Sequence, residues 1–164
     1  MMADLNPARD LQVVRLIPAP AAILWRCLTE ADRLRRWWVP SPVEVADMVI
    51  EPQPGGRFFT HMRLPDGGEH RVEIMILLAE PQRRLIFTDL MTAGFRPVAQ
   101  PMFGFAAEIA LIPEGGATRY VATARHARPE DAARHRDMGF HDGWGTVADQ
   151  LATLAPKFTE EKEI

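Results

Sequence analysis

Residues 138–158, MGFHDGWGTVADQLATLAPKF, decide how this chain folds. At 100° per residue, Phe140, His141, Trp144, Val147, Ala148, Leu151, Leu154, Ala155 and Phe158 fall in one apolar stripe. Asp142, Thr146, Asp149, Gln150, Thr153 and Lys157 fall on the other side. The spacing predicts a helix over 138–155, roughly 27 Å long, whose stripe must lie on another element. Gly139, Gly143 and Gly145 each weaken its first turns by roughly 1 kcal/mol relative to Ala, which points to a close backbone approach or a bend near Trp144. Pro156 is expected to end or kink it.

The partner for that stripe is the middle of the chain. Alternating segments at 44–50, 57–63, 69–78, 84–90, 102–112 and 118–126 read as strands, separated by turn residues such as Pro54-Gly55-Gly56, Asp66-Gly67-Gly68 and Glu114-Gly115-Gly116. Connections this short favour antiparallel neighbours, because a parallel crossover needs a dozen residues or more. Residues 91–101, MTAGFRPVAQP, interrupt the series as a loop with no period and two prolines, of the kind that is often mobile and lies over sites.

Upstream, residues 11–17 read as a first strand, broken at Pro18. Pro20 suits the first position of a helix over 21–28. Thr29, with Asp32 three residues on, is expected to cap a second short helix reaching about Arg36, with Arg33, Arg35 and Arg36 outward and Leu34 inward. A short helical piece at 131–136 precedes the terminal helix, and 159–164 is charged and expected to fray. The class is α+β: seven antiparallel strands that twist and curl around one long helix, with two short helices after the first strand.

Composition bounds the function. With 164 residues, 47% hydrophobic and 25% charged, the chain is expected to form one domain over 1–164, ordered from about 9 to 157. A formal charge of −3 and a pI near 5.9 give no electrostatic reason for a nucleic-acid or anionic-membrane partner. The longest apolar run, residues 74–79, is far below the ~20 residues a bilayer span needs. The first ten residues lack the apolar core of a signal peptide, and the single Cys27 suits a reducing compartment, so a cytoplasmic location without membrane insertion is expected. No HxH, HExxH, GxSxG or GxxxxGK[ST] pattern occurs, so no metal site and no cofactor is expected.

Trp37-Trp38-Val39-Pro40, Pro54-Gly55-Gly56-Arg57-Phe58, Leu64-Pro65-Asp66-Gly67, Pro81-Gln82-Arg83-Arg84-Leu85, Gly116-Ala117-Thr118-Arg119-Tyr120 and Gly143-Trp144 with Leu151 follow one another in an order that resembles the activator of Hsp-90 ATPase homologue family, of the START-like, polyketide cyclase and lipid-transport superfamily. The resemblance spans about residues 11–154. It implies the helix-grip fold, with a cavity between curved sheet and long helix that relatives use for apolar molecules and sometimes for catalysis. The co-chaperone of that family carries a further N-terminal domain that binds the chaperone. Nothing like it precedes the motifs here, which counts against a chaperone partner.

The expected cavity wall comprises Trp37, Trp38, Phe58, Phe87, Met102, Phe103, Phe105, Tyr120, Met138, Phe140 and Trp144, although plain core packing is the competing reading for each. Small residues at Ala107, Ala122 and Ala124, amid large ones, are expected to leave unfilled volume under the helix. The polar candidates in inward phase are Asp89, His126 and His141; the inward phase of His61, Arg63 and His70 is not fixed by the pattern.

Three functions compete. The first is binding of a small, mostly apolar ligand. The second is an enzyme of the cyclase, dehydratase or hydrolase kind, which needs at least two of Asp89, His126, His141 and Arg63 in one pocket. The third is an interaction module that exposes an apolar patch on the outer sheet face or at the Trp37-Trp38 turn. A homodimer is expected only from the general frequency of dimers.

Overall fold

The structure, a computed structural model, describes residues 4–160. Strand β1 (Asp10–Ile17) leads through Pro18 and Pro20 into helices α1 (Ala21–Thr29) and α2 (Ala31–Leu34). Then follow β2 (Glu44–Ile50), β3 (Arg57–Arg63), β4 (Glu69–Glu80), β5 (Arg84–Thr88), the short β6 (Met91–Thr92) and β7 (Arg96–Pro97), β8 (Phe105–Glu114) and β9 (Ala117–His126). Helices α3 (Pro129–Asp137) and α4 (Phe140–Glu160) close the chain.

Seven strands form one antiparallel sheet in the order β1-β9-β8-β5-β4-β3-β2, so the meander is bounded at one end by the pairing of the first strand with the last. The sheet curves around the long C-terminal helix, which is the helix-grip arrangement. The alternation that predicted the strands also selects their buried face. Phe105, Ala107, Ile109 and Leu111 of β8 are buried, as are Tyr120, Ala122 and Ala124 of β9, with Ala107 opposite Ala124 and Ile109 opposite Ala122. These residues share one buried cluster with Ala148, Leu151, Ala155 and Phe158 of α4. The three strand alanines therefore do not open a void: all are fully buried, and small residues on sheet and helix let the two layers close up.

Other expectations change for local reasons. The long helix begins at Phe140, because Gly139 takes φ +97° between α3 and α4. It also runs on through Pro156 to Glu160. The lost backbone bond is offset by Phe158, which is buried and carries the Arg33 guanidinium 4.0 Å from its ring centroid. Arg33 is accordingly buried rather than outward. Thr29 caps nothing; it is the last residue of α1, its hydroxyl donates to the Trp25 carbonyl, and Glu30 stands at the start of α2. Of the tail expected to fray, residues 161–164 lie outside the described residues, as do residues 1–3.

The segment 91–101 is more ordered than its lack of period implied. It forms the β6–β7 hairpin, whose tip is tied down by Gly94 N–H donating to the Gly55 carbonyl at 2.9 Å. Phe95 lies against Gly55, where a Cβ would come within 2.7 Å of its ring. The strand expected at 102–112 starts only at Phe105, because the amides of Phe103 and Gly104 turn to the Asp89 carboxylate instead of a neighbouring strand.

Candidate functional site

A cavity of about 560 Å³ lies between the β3–β5 half of the sheet, the segment leading from β7 to β8, and the first turns of α4. Thr60 and Met62 of β3, Val72 and Ile74 of β4 and Phe87 of β5 line one side. Gly143, Trp144 and Val147 of α4 line the other. Pro101, Met102 and Phe103 lie along it as well, and Met102 is 46% exposed. The hollow is thus beside the alanine-rich, tightly packed strands β8 and β9, toward the opposite half of the sheet.

Four elements position the aromatic wall. Trp38 is set by Gln150 of α4, whose amide donates to the carbonyls of Trp37 and Val39 at 2.9 Å each and accepts from the Ser41 amide at 2.8 Å. Placed by periodicity on the helix's polar side, Gln150 instead fastens the Trp37–Ser41 segment to the helix. Trp38 then packs 5.2 Å from Phe58 and 5.8 Å from Phe87, ring to ring. Trp144 packs on Phe140 at 4.6 Å.

The sequence-derived candidates divide cleanly. Trp38, Phe87, Asp89, Phe103, Phe105, Tyr120 and Trp144 line the cavity. Trp37, Phe58 and Phe140 do not: each is buried behind the wall, where Trp37 donates its indole N–H to the Cys27 carbonyl at 2.9 Å. Met138 caps α3 and is 66% exposed. His141 is exposed, although it shares the angular position of buried Ala148 two turns on; at the first turn of α4, burial extends only to Phe140. His126 is buried but lies outside the cavity lining, held between the Arg9 carbonyl and His135.

The positions left open by the pattern are also settled. His61 shares the outer face with Arg57 and Phe59 and meets Glu69 at 2.5 Å. Arg63 borders a smaller polar hollow near Pro65 and Glu69, and His70, although in phase with Met62, is exposed at its strand end. Asp89, His126, His141 and Arg63 therefore point to separate places and form no common constellation. The Trp37-Trp38 turn likewise offers no exposed patch, since Trp37 is fully buried.

Asp89 lines the cavity, yet its carboxylate is already engaged. It accepts from the amides of Phe103 at 2.7 Å, Gly104 at 3.1 Å and Phe105 at 2.9 Å, so it acts as a clamp that fixes the aromatic segment. Tyr120 presents a different situation. Its phenol is buried against the cavity with no hydrogen-bond partner among the described residues, and burial pushes its pKa well above the ordinary value.

His135 of α3 is the residue that sequence reasoning missed. It is 6% exposed, lines the cavity and stacks on Phe103 with ring centroids 3.8 Å apart. Burial, reinforced by His126 and Arg134, pushes its pKa down to about 4, so the imidazole is neutral at physiological pH. A signal existed: Asp131, Ala132 and His135 share one face at spacings of one, three and four, and all three are buried.

A family model described as activator of Hsp90 ATPase homolog 1-like protein matches residues 18–155. The chain belongs to the activator of Hsp90 ATPase homolog 1-like family. A crystal structure of a protein from Nitrosomonas europaea is 34% identical, with 98% of this chain and 100% of that chain covered and a TM-score of 0.89. One from Rhodobacter sphaeroides is 21% identical, covering 94% and 97% of the two chains at a TM-score of 0.79. A crystal structure of the AHSA1 protein from Silicibacter pomeroyi is 21% identical, covering 88% and 95% at a TM-score of 0.66. No curated protein matches the chain. The helix-grip fold of the activator of Hsp90 ATPase homolog 1-like family often holds small hydrophobic molecules between sheet and helix. Among the described residues no helix is long and apolar enough to cross a membrane.

Proposed function

We propose that this protein binds a small, mostly apolar molecule in the cavity beside the first turns of α4. One observation carries the reading: about 560 Å³ of space walled mainly by aromatic and aliphatic side chains. That lies within the range of ~300–1,000 Å³ typical of small-molecule sites. The wall is also preorganised. Gln150 holds Trp38, Asp89 holds Phe103 and Phe105, and Phe140 supports Trp144, so little conformational entropy is lost when a ligand enters.

A neutral fluorescent naphthylamine, N-phenyl-1-naphthylamine, tests the proposal. It should bind with quenching of tryptophan emission, since Trp38 and Trp144 both line the cavity. Gly143 faces open space there, and Gly143→Leu should plug the cavity and abolish the signal. Binding that survives the plug unchanged would place the probe elsewhere and remove the reading.

A further inference from the structure

A hydrogen-bond chain runs from the Arg9 carbonyl through His126 to His135 in the cavity wall, and its proton positions follow from its partners. A backbone carbonyl can only accept, so His126, 2.9 Å from the Arg9 carbonyl through Nδ1, must carry its proton on that nitrogen. In the form of His126 that carries only this one proton, Nε2 is an acceptor. The nitrogen facing it at 2.9 Å, Nδ1 of His135, must therefore be the donor. A neutral imidazole has one N–H, so Nε2 of His135 is left with a bare lone pair and no partner among the described residues.

Three ring contacts fix the orientation of the His135 ring. Phe103 stacks on one face of His135, while Phe140 and Trp144 meet it edge to face at 5.1 and 6.0 Å. The surrounding charges are occupied. Asp131, one turn back on α3, is bound to Arg128 at 3.0 Å, and Arg134 lies over the Phe103 ring at 5.2 Å. On the cavity side, the Asp89 carboxylate is engaged by three amides.

We propose that the molecule held in this cavity carries a neutral hydroxyl group, which donates a hydrogen bond to Nε2 of His135. The assignment rests on the ligand-binding reading above and narrows its ligand class to hydroxylated apolar molecules. At Nε2 of His135 a carboxylate fits poorly, because at that atom it could pair only with an imidazolium, and the apolar surroundings of His135 oppose that charge. A ligand with no donor would cover that lone pair without satisfying it. Tyr120, a buried wall residue whose phenol has no partner among the described residues, can donate to or accept from a second polar atom.

The test pairs 2-naphthol with naphthalene, two probes that differ by one hydroxyl, and compares wild type with His135→Phe by tryptophan fluorescence titration. The variant should weaken 2-naphthol about tenfold, as expected for a buried hydroxyl left unpaired, and change naphthalene by less than about twofold. Equal effects on the two probes would overturn the assignment while leaving the cavity reading intact. Failure of wild type to bind either probe would overturn both. Should His135→Phe not fold, the wild-type 15N resonance of His135 Nε2 decides: addition of 2-naphthol must shift it, and an unmoved resonance overturns the assignment.

Discussion

Nε2 of His126 stands 2.9 Å from Nδ1 of His135, and this contact joins the end of β9 to α3 across the rim of the cavity. It ties a residue whose inward phase was legible on a strand to one whose importance was not. Because both rings are buried, the contact also makes the fold sensitive to acid.

An unfolded histidine titrates near pH 6.5, whereas His135 in the fold does so near 4. Above pH 6.5 both states are neutral and the group has no effect. Between 6.5 and 4 the unfolded chain alone takes up the proton, so stability falls by up to roughly 3 kcal/mol, and below 4 the loss levels off. Urea unfolding at pH 7.0, 5.5 and 4.0 should show this decline, and His135→Phe should flatten it.

Gly143 and Gly145 lie on one helix two residues apart and should respond differently to alanine. A Cβ at Gly143 meets nothing within 4 Å, so Gly143→Ala should add about 1 kcal/mol through helix propensity alone. At Gly145 the same atom would come within 2.8 Å of the Arg15 guanidinium, which is paired with Asp149. Displacing that exposed pair offsets much of the gain, so Gly145→Ala should be close to neutral. Thermal melts of the two variants compare directly.

Removal of the Asp89 carboxylate leaves three backbone amides without their acceptor. Asp89→Ala should cost about 3 kcal/mol in chemical denaturation. It should also raise amide hydrogen exchange at residues 103–105 more than in the β8–β9 ladder.

Cys27 is fully buried on α1, and that burial outweighs the pull of Arg33, so the thiol is pushed up to about 11. The thiolate is the reactive form. At pH 8 the native protein should therefore react with a disulfide reagent orders of magnitude more slowly than the urea-unfolded chain. Fast labelling of the native state would contradict the burial.

The legible part of the site was the part carried by strand alternation. Phe87, Phe105 and Tyr120 lie in the phase of their strands and reach the cavity, as does Asp89, one residue beyond β5. Phe103 and Trp144 also reach it, though Phe103 does so from a bend held by Asp89 rather than from a strand. Periodicity says which face of an element is buried, but not whether a side chain on that face meets another side chain or empty space. Trp37, Phe58 and Phe140 therefore share the phase or composition of the wall and yet stand behind it.

Period and turn chemistry determined by themselves that seven antiparallel strands, interrupted by two short helices, would wrap one long amphipathic helix, because one apolar face can be buried only against another. The tertiary structure alone decided where volume remains. The alanines that promised a void let sheet and helix close together, and the space opened instead where Gly143 meets the β3–β5 strands. Only the fold could bring His135 from a short polar helix against Phe103, 32 residues earlier in the chain, and into the lining of an apolar hollow. Contacts of that kind join residues far apart in sequence, and no local pattern encodes them.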